Sequence, residues 1–235
     1  MTPRGHSGGV NVVPEPEVVD AEIGLPERRW PMAIAVLVAL GLHLLLPADF
    51  KVSPTWLYPA AIVGLLIALV AGDPGLIDRE RPWLRSTTNA MIVLIVASNL
   101  LAGFRLVQGI FQHAQFYDDA YQLLGIGAVI WAINVLAFAL WFWDVDGGGA
   151  AARARRGAWA DPAFVFPEMA LERLVAAGWF PRFADYLVLS FYTATAFSPT
   201  DVSAIKRWAK LIMVLESGAS LLLATLVLAK AINNM

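Results

Sequence analysis

Six apolar runs recur along the chain, at 31–47, 56–72, 88–107, 121–143, 184–199 and 208–231, separated by breaks that carry Pro, Gly, Arg and Asp. A helix that crosses a bilayer needs about 20 mostly apolar residues rising 1.5 Å each, within a range of about 17–25. Every run reaches that range except 184–199, which is short. The borders are punctuated as membrane interfaces demand. Arg28, Arg29 and Trp30 precede the first run and Pro47 closes it, while Trp56 and Tyr58 open the second. Trp141-Phe142-Trp143 end the fourth, and Asp144, Asp146 and Gly147-Gly148-Gly149 stop it. This pattern predicts an all-α, polytopic transmembrane helix bundle of about six spans.

The segments between the runs complete the organisation. Residues 1–29, with Pro14, Pro16 and Pro26 and no apolar run, read as a flexible tail rather than a cleaved leader, which needs 7–15 continuous apolar residues behind its basic start. Residues 30–143 form a four-helix transmembrane region, 144–183 a long loop, and 184–235 a C-terminal pair of helices. Within the loop, 168–178 place Leu171, Leu174 and Val175 on one helical face and Glu168, Glu172 and Arg173 on the other, as in a short helix lying in the interface. The run Arg153-Ala-Arg155-Arg156 reads as solvated loop or as a contact for anionic lipid head groups.

Basic residues in short loops stay on the cytoplasmic side. With six spans, Arg4, Arg28, Arg29, Arg79, Arg81, Arg85, Arg153, Arg155, Arg156, Arg173, Arg182 and Lys230 fall on one side, against Lys51, Arg105, Lys206, Arg207 and Lys210 on the other. Both termini are therefore expected on the cytoplasmic face of a bacterial inner membrane. The same count makes 184–199 cross, since it links a cytoplasmic loop to an external Lys206-Arg207.

Composition narrows the chemistry. Of 235 residues, 58% are hydrophobic and 15% charged, where a soluble domain carries about 25% charged residues. The mean hydropathy of +0.62 points the same way. The formal charge of −2 gives no basic surface for nucleic acid, so the lipid bilayer is the first partner implied. Absence of cysteine removes disulfides, thiolate metal sites and a cysteine nucleophile, and three histidines are too scattered for a metal cage. No cofactor is implied. Ser217-Gly218-Ala219-Ser220 lacks a base within reach, and no metalloprotease, P-loop or dinucleotide motif occurs, so an enzyme is not expected.

An acid inside the bilayer costs about 2.5–3.5 kcal/mol on insertion scales and is by default a functional residue. Glu216 is that acid, about 13 Å into the last helix from Arg207, with Ser220 on the same face one turn later. Asn99, Asn134 and Thr193 fall at comparable depth, and Arg105 slightly nearer the outer face. Two readings stay open. The five residues form an ion or proton site on a translocation path, or Glu216 is a buried structural group, paired with Arg105 or protonated and hydrogen-bonded to an amide.

Residues 189–195, Leu-Ser-Phe-Tyr-Thr-Ala-Thr, with Asp201 shortly after and one long helix following, resemble the pore helix and the start of the filter in bacterial potassium channels. The resemblance covers about one fifth of the chain. It implies a pore-like C-terminal region and, with two helices per chain, a homo-oligomer. Those channels use a glycine-tyrosine-glycine core, whereas Phe197, Ser198, Pro199 and Thr200 stand here, so the potassium filter is not built. The chain as a whole resembles uncharacterised multi-pass membrane proteins of bacteria, which implies no particular activity. The expected function is a small channel-like or transporter-like protein handling a small ion or solute. Its alternative is a non-transporting scaffold that binds a partner through its tail and long loop.

Overall fold

The computed structural model describes residues 27–73, 75–77, 81–112, 119–156, 161–171, 179–195 and 201–233. Eight helices follow one another: α1 (Trp30–Leu45), α2 (Leu57–Gly72), α3 (Pro82–Phe111), α4 (Ala120–Val145), α5 (Ala150–Arg156), α6 (Pro167–Ala170), α7 (Phe183–Thr195) and α8 (Arg207–Asn233). Two-residue strands tie their ends: β1 (Glu27–Arg28) pairs antiparallel with β2 (Leu76–Ile77), and β3 (Phe164–Val165) with β4 (Ser203–Ala204). Local chemistry sets several boundaries. Pro31 and Pro82 stand in the first turns of α1 and α3, where a missing N–H costs nothing, and Asp119 caps α4 by accepting the Tyr121 N–H at 2.9 Å.

Three helical stretches, Pro82–Phe111, Ala120–Arg156 and Arg207–Asn233, are long and apolar enough to cross a membrane. The middle one joins α4 and α5 across the turn at Gly147–Gly149. α4 is the hub of the bundle, packed against α1, α3, α7 and α8, and residues 137–140, 142 and 143 are buried on all its faces. The periphery is inverted relative to a water-soluble protein. α8 buries Glu216 and Ser220 while it exposes Leu211, Val214, Leu221, Leu222, Leu228 and Ile232. A helix with its acid inward and its leucines outward is matched to apolar surroundings.

Contacts fix the direction of every helix. Arg29 at the start of α1 is ion-paired with Asp73 at the end of α2 (2.9 Å), and Arg81 before α3 donates to the Gly72 carbonyl (3.4 Å). Glu27 accepts from Trp143 at the end of α4 and from the N–H of Phe183 at the start of α7. These termini share one end of the bundle, the proximal end. At the distal end lie the 48–51 turn, whose carbonyls of Asp49 and Lys51 accept from Arg105, and the start of α4.

α7 and α8 then behave unexpectedly. Ser190 contacts Val135 and Glu216, and Ser217 donates to the Thr193 carbonyl, so the two helices run parallel, both antiparallel to α4. Further along, Gly127 of α4 meets Val227 of α8; a Cβ added at Gly127 would lie 2.9 Å from the valine Cγ1. By Ser203 the chain is back at the proximal end, where Ile205 donates to the Ala163 carbonyl (2.9 Å) and Lys206 pairs with Asp161 (2.6 Å). The expectation that 184–199 carries the chain from one end to the other is corrected. α7 has 13 residues, about 20 Å of helix, and both its flanks are fastened to one end. Glu27 and Asn233 consequently lie at opposite ends of the bundle, and the termini beyond them lie outside the described residues.

Other boundaries shift too. Glu27–Arg29, assigned to the tail, are ordered by β1 and the Asp73 pair, and residues 1–26 lie outside the described residues. The amphipathic helix of 168–178 is represented by α6, which ends before an exposed Leu171; residues 172–178 lie outside the described residues. Arg153, expected in solvent or on lipid, is 3% exposed. Gly147, Gly148 and Gly149, all at positive φ, reverse the chain and tuck α5 under the end of α4.

Candidate functional site

Three helices meet around Glu216, which is fully buried on the inner face of α8. α7 contributes Ser190, which touches Glu216, and α4 contributes the Val135 carbonyl against Ser190, with Asn134 one helical turn away on Ser220. α8 reaches this level after about 13 Å of helix from Arg207. The positions follow from one repeat: Ala209, Glu216, Ser220, Leu223, Val227 and Ala231 recur at helical spacing and form the single buried stripe of α8.

The polar groups form two linked sets. Asn99 of α3 donates its amide to Asn134 Oδ1 (3.2 Å), and Asn134 donates to Ser220 Oγ (3.0 Å). One turn above Ser220, the Glu216 carboxyl is hydrogen-bonded to Ser190 Oγ, which also lies 2.7 Å from the Val135 carbonyl. The proton inventory at Ser190 is decisive. A hydroxyl has one proton, and the Val135 carbonyl can only accept. Both contacts are satisfied together when Glu216 is the neutral acid, donating to Ser190 Oγ while Ser190 donates to Val135. The second carboxyl oxygen, Oε2, has no hydrogen-bond partner among the described residues. A bare carboxylate here would face no cation from those residues, at a desolvation cost of several kcal/mol.

Of the sequence candidates, Asn99, Asn134 and Glu216 are brought together. Thr193 is adjacent but contributes its backbone carbonyl, which accepts from Ser217 (2.9 Å), since its hydroxyl is spent on the Leu189 carbonyl (2.8 Å). Arg105 is elsewhere. Its guanidinium donates to the carbonyls of Asp49 (3.1 Å) and Lys51 (2.6 Å) at the distal turn, so the expected pairing with Glu216 is corrected. Ser190 was missed because a serine in an aromatic run carries no mark of its own; only the register of α7 against α8 places it on Glu216.

Beside this layer, α3, α4 and α8 leave a cleft of about 200 Å³ towards the distal half, lined by Asn99, Gly103, Phe104, Ile130, Asn134 and Leu223 among others. Asn99 Oδ1 is buried and has no hydrogen-bond partner among the described residues. On the proximal side of the layer stands the body of α7. Its buried Tyr186 donates to Asp146 Oδ2 (2.5 Å).

That contact belongs to a second buried cluster. Asp146 Oδ1 accepts from the N–H groups of Ala163 (2.6 Å) and Phe164 (3.2 Å). Arg153 donates to the carbonyls of Trp143 (2.8 Å) and Asp146 (2.6 Å), lies 3.7 Å from Glu27 Oε2 and stacks over the Tyr186 ring at 5.2 Å. Glu27 accepts from Trp143 Nε1 (2.7 Å) and the Phe183 N–H (2.6 Å); burial outweighs these bonds and raises its pKa above the ordinary 4.5. This cluster locks loop, tail end and α7 into one piece.

Among the described residues, no group of three His, Asp or Glu side chains is arranged to hold a metal ion. His43 is buried against the Tyr58 ring, centroids 4.1 Å apart. Asp119 is a helix cap and Asp118 lies outside the described residues. No family model matches the chain, and comparison with curated proteins and solved structures finds no match.

Proposed function

We propose that this chain is a proton- or small-ion-translocating protein of the cytoplasmic membrane, in which Glu216 is the titrating group and α7 is a re-entrant helix. Five helices, α1, α2, α3, α4 and α8, cross. α7 dips in from the proximal face and returns to it. The distribution of basic residues supports this arrangement better than six crossings. Of the 14 Lys and Arg residues among the described residues, Lys51, Arg105 and Lys230 belong to the distal end and the other 11 to the proximal end, which supports a cytoplasmic proximal end. The N-terminal tail is then inside and Asn233 outside. α1 and α2, at 16 residues each, cross with local thinning of the bilayer.

The observation that carries the function is the setting of Glu216, fully buried with one hydroxyl partner and no partner at Oε2 among the described residues. An acid in the middle of the bundle, held by a hydroxyl and answered by no cation among the described residues, is neutral at rest and becomes costly the moment it releases its proton. Such a group stores and passes a proton when its surroundings change. The distal cleft, which reaches Asn134 beside Ser220, supplies an approach from that side. The entering segment makes the likeness to potassium-channel pores one of layout, on the opposite face and without their filter.

Two experiments test the reading. In vesicles holding a pH-sensitive dye, with the potential clamped by a potassium gradient and ionophore, the wild-type protein carries protons and Glu216→Gln does not; flux equal to empty vesicles overturns the function. Because the chain has no cysteine, single substitutions map topology with an impermeant maleimide. Asp161→Cys and Ser203→Cys label from the same side and Asp119→Cys from the other; labelling of the first two from opposite sides overturns the re-entrant α7.

A further inference from the structure

At the proximal end, α1, α3, α4 and α5 leave a cavity of about 340 Å³, within the 300–1,000 Å³ usual for ligand sites. Four arginines line it, Arg29, Arg81, Arg85 and Arg156, against one acid, Asp144. Their commitments differ. Arg29 is held by Asp73, through the carboxylate and the backbone carbonyl, both at 2.9 Å. Arg81 donates only a long bond to Gly72. Arg85 and Arg156 are exposed and neither makes a hydrogen bond or ion pair to another described residue, although Arg85 is near enough to Asp144 to favour the charged form of that carboxyl. The cavity therefore carries an excess of positive charge that the protein does not neutralise. The start of the 30-residue α3 adds the positive end of its dipole.

The remaining lining is apolar. Leu84 and Trp143 form a buried wall, and the indole of Trp83, next to the lining Pro82, is exposed. A guanidinium pair above an apolar wall, at the level where interfacial tryptophans sit, matches a group that is anionic at its head and apolar beneath. Planar guanidinium forks bind phosphate oxygens two at a time, which an ammonium does not do. We infer that this cavity binds the phosphate of an anionic phospholipid head group, with Arg85 and Arg156 as the two free forks and Arg81 and Arg29 as supporting charge. The basic stretch after Gly149 is thereby divided: Arg153 serves the interior, and Arg156 serves the lipid.

The test is thermal unfolding of the full-length protein in detergent, titrated in parallel with phosphatidylglycerol, phosphatidylcholine and glycerol 3-phosphate. Phosphatidylglycerol raises the melting temperature of the wild type and phosphatidylcholine does not. Arg85→Gln with Arg156→Gln weakens the apparent affinity about thirtyfold, from the usual gain per basic residue at a membrane surface. Both side chains are exposed, so the variant keeps its lipid-free melting temperature. A response to glycerol 3-phosphate as strong as that to phosphatidylglycerol overturns the lipid source and leaves a soluble phosphate ester as ligand. Equal responses to the two lipids, no response to any compound, or an undiminished response in the double variant overturns the site.

Discussion

The protein buries acids in two places and treats them in opposite ways. At the proximal end Glu27 faces Arg153 and accepts from Trp143 and the Phe183 N–H, while the Asp146 carboxylate accepts from Tyr186 and from the N–H groups of Ala163 and Phe164. In mid-bundle Glu216 has one serine and no cation among the described residues. The first arrangement is a fastening: each carboxyl accepts several hydrogen bonds, and the donors come from separate stretches of chain. The second leaves an acceptor unmatched in the driest part of the molecule. Stability alone would replace Glu216 by leucine, since apolar substitutes for buried polar groups are commonly neutral or stabilising. What sets Glu216 apart from Glu27 is the missing counter-charge, not the depth of burial.

That contrast can be broken by substitution. Arg153→Met removes the cation beside Glu27 and the donor to the carbonyls of Trp143 and Asp146, which should cost about 3–5 kcal/mol and appear as a large drop in melting temperature in detergent. A loss under about 1 kcal/mol would mean that the proximal cluster is no fastening. Glu216→Gln replaces a neutral acid by a neutral amide that still donates to Ser190, so its melting temperature should shift by less than about 1 kcal/mol equivalent while transport is lost. A large destabilisation would put Glu216 in the structural class with Glu27.

The smallest effect is one of pH. Burial raises the Glu27 pKa, so the folded protein holds that proton more tightly than the unfolded chain. This contribution to stability is fully present below the unfolded value near 4.5 and is lost as pH rises through the folded pKa. The melting temperature of the wild type relative to Glu27→Gln should therefore decline as pH increases from about 4.5. A difference that does not change with pH would show that Glu27 is ionised throughout.

The long apolar runs made the helices readable, and the central position of Glu216, Asn99 and Asn134 followed from counting residues along them. α1, α2, α3, α4 and α8 each lie within a few residues of their runs, except that α3 starts six residues earlier at Pro82, where the polar Arg85, Ser86 and Thr87 hide the helix in a hydropathy reading. Direction was not readable for α7. Its run was short, and a count of basic residues assigned Lys206 and Arg207 to whichever side its crossing implied. The strand pair that fixes their side is two residues long and joins positions about 40 apart, below any periodic signal. Arg153 and Glu27 were opaque for a similar reason: single charges beside glycine and proline look solvated until three remote segments close over them.

The re-entrant α7 proposed above, 13 residues long, has a further consequence for biosynthesis. On its own, α7 offers too little greasy length to be taken up by insertion machinery, and its inner tip would leave carbonyls bare against acyl chains. It needs a groove already built from α4 and the segment that follows it. Assembly must then run out of chain order, with the last helix threaded before the half-length one ahead of it can seat.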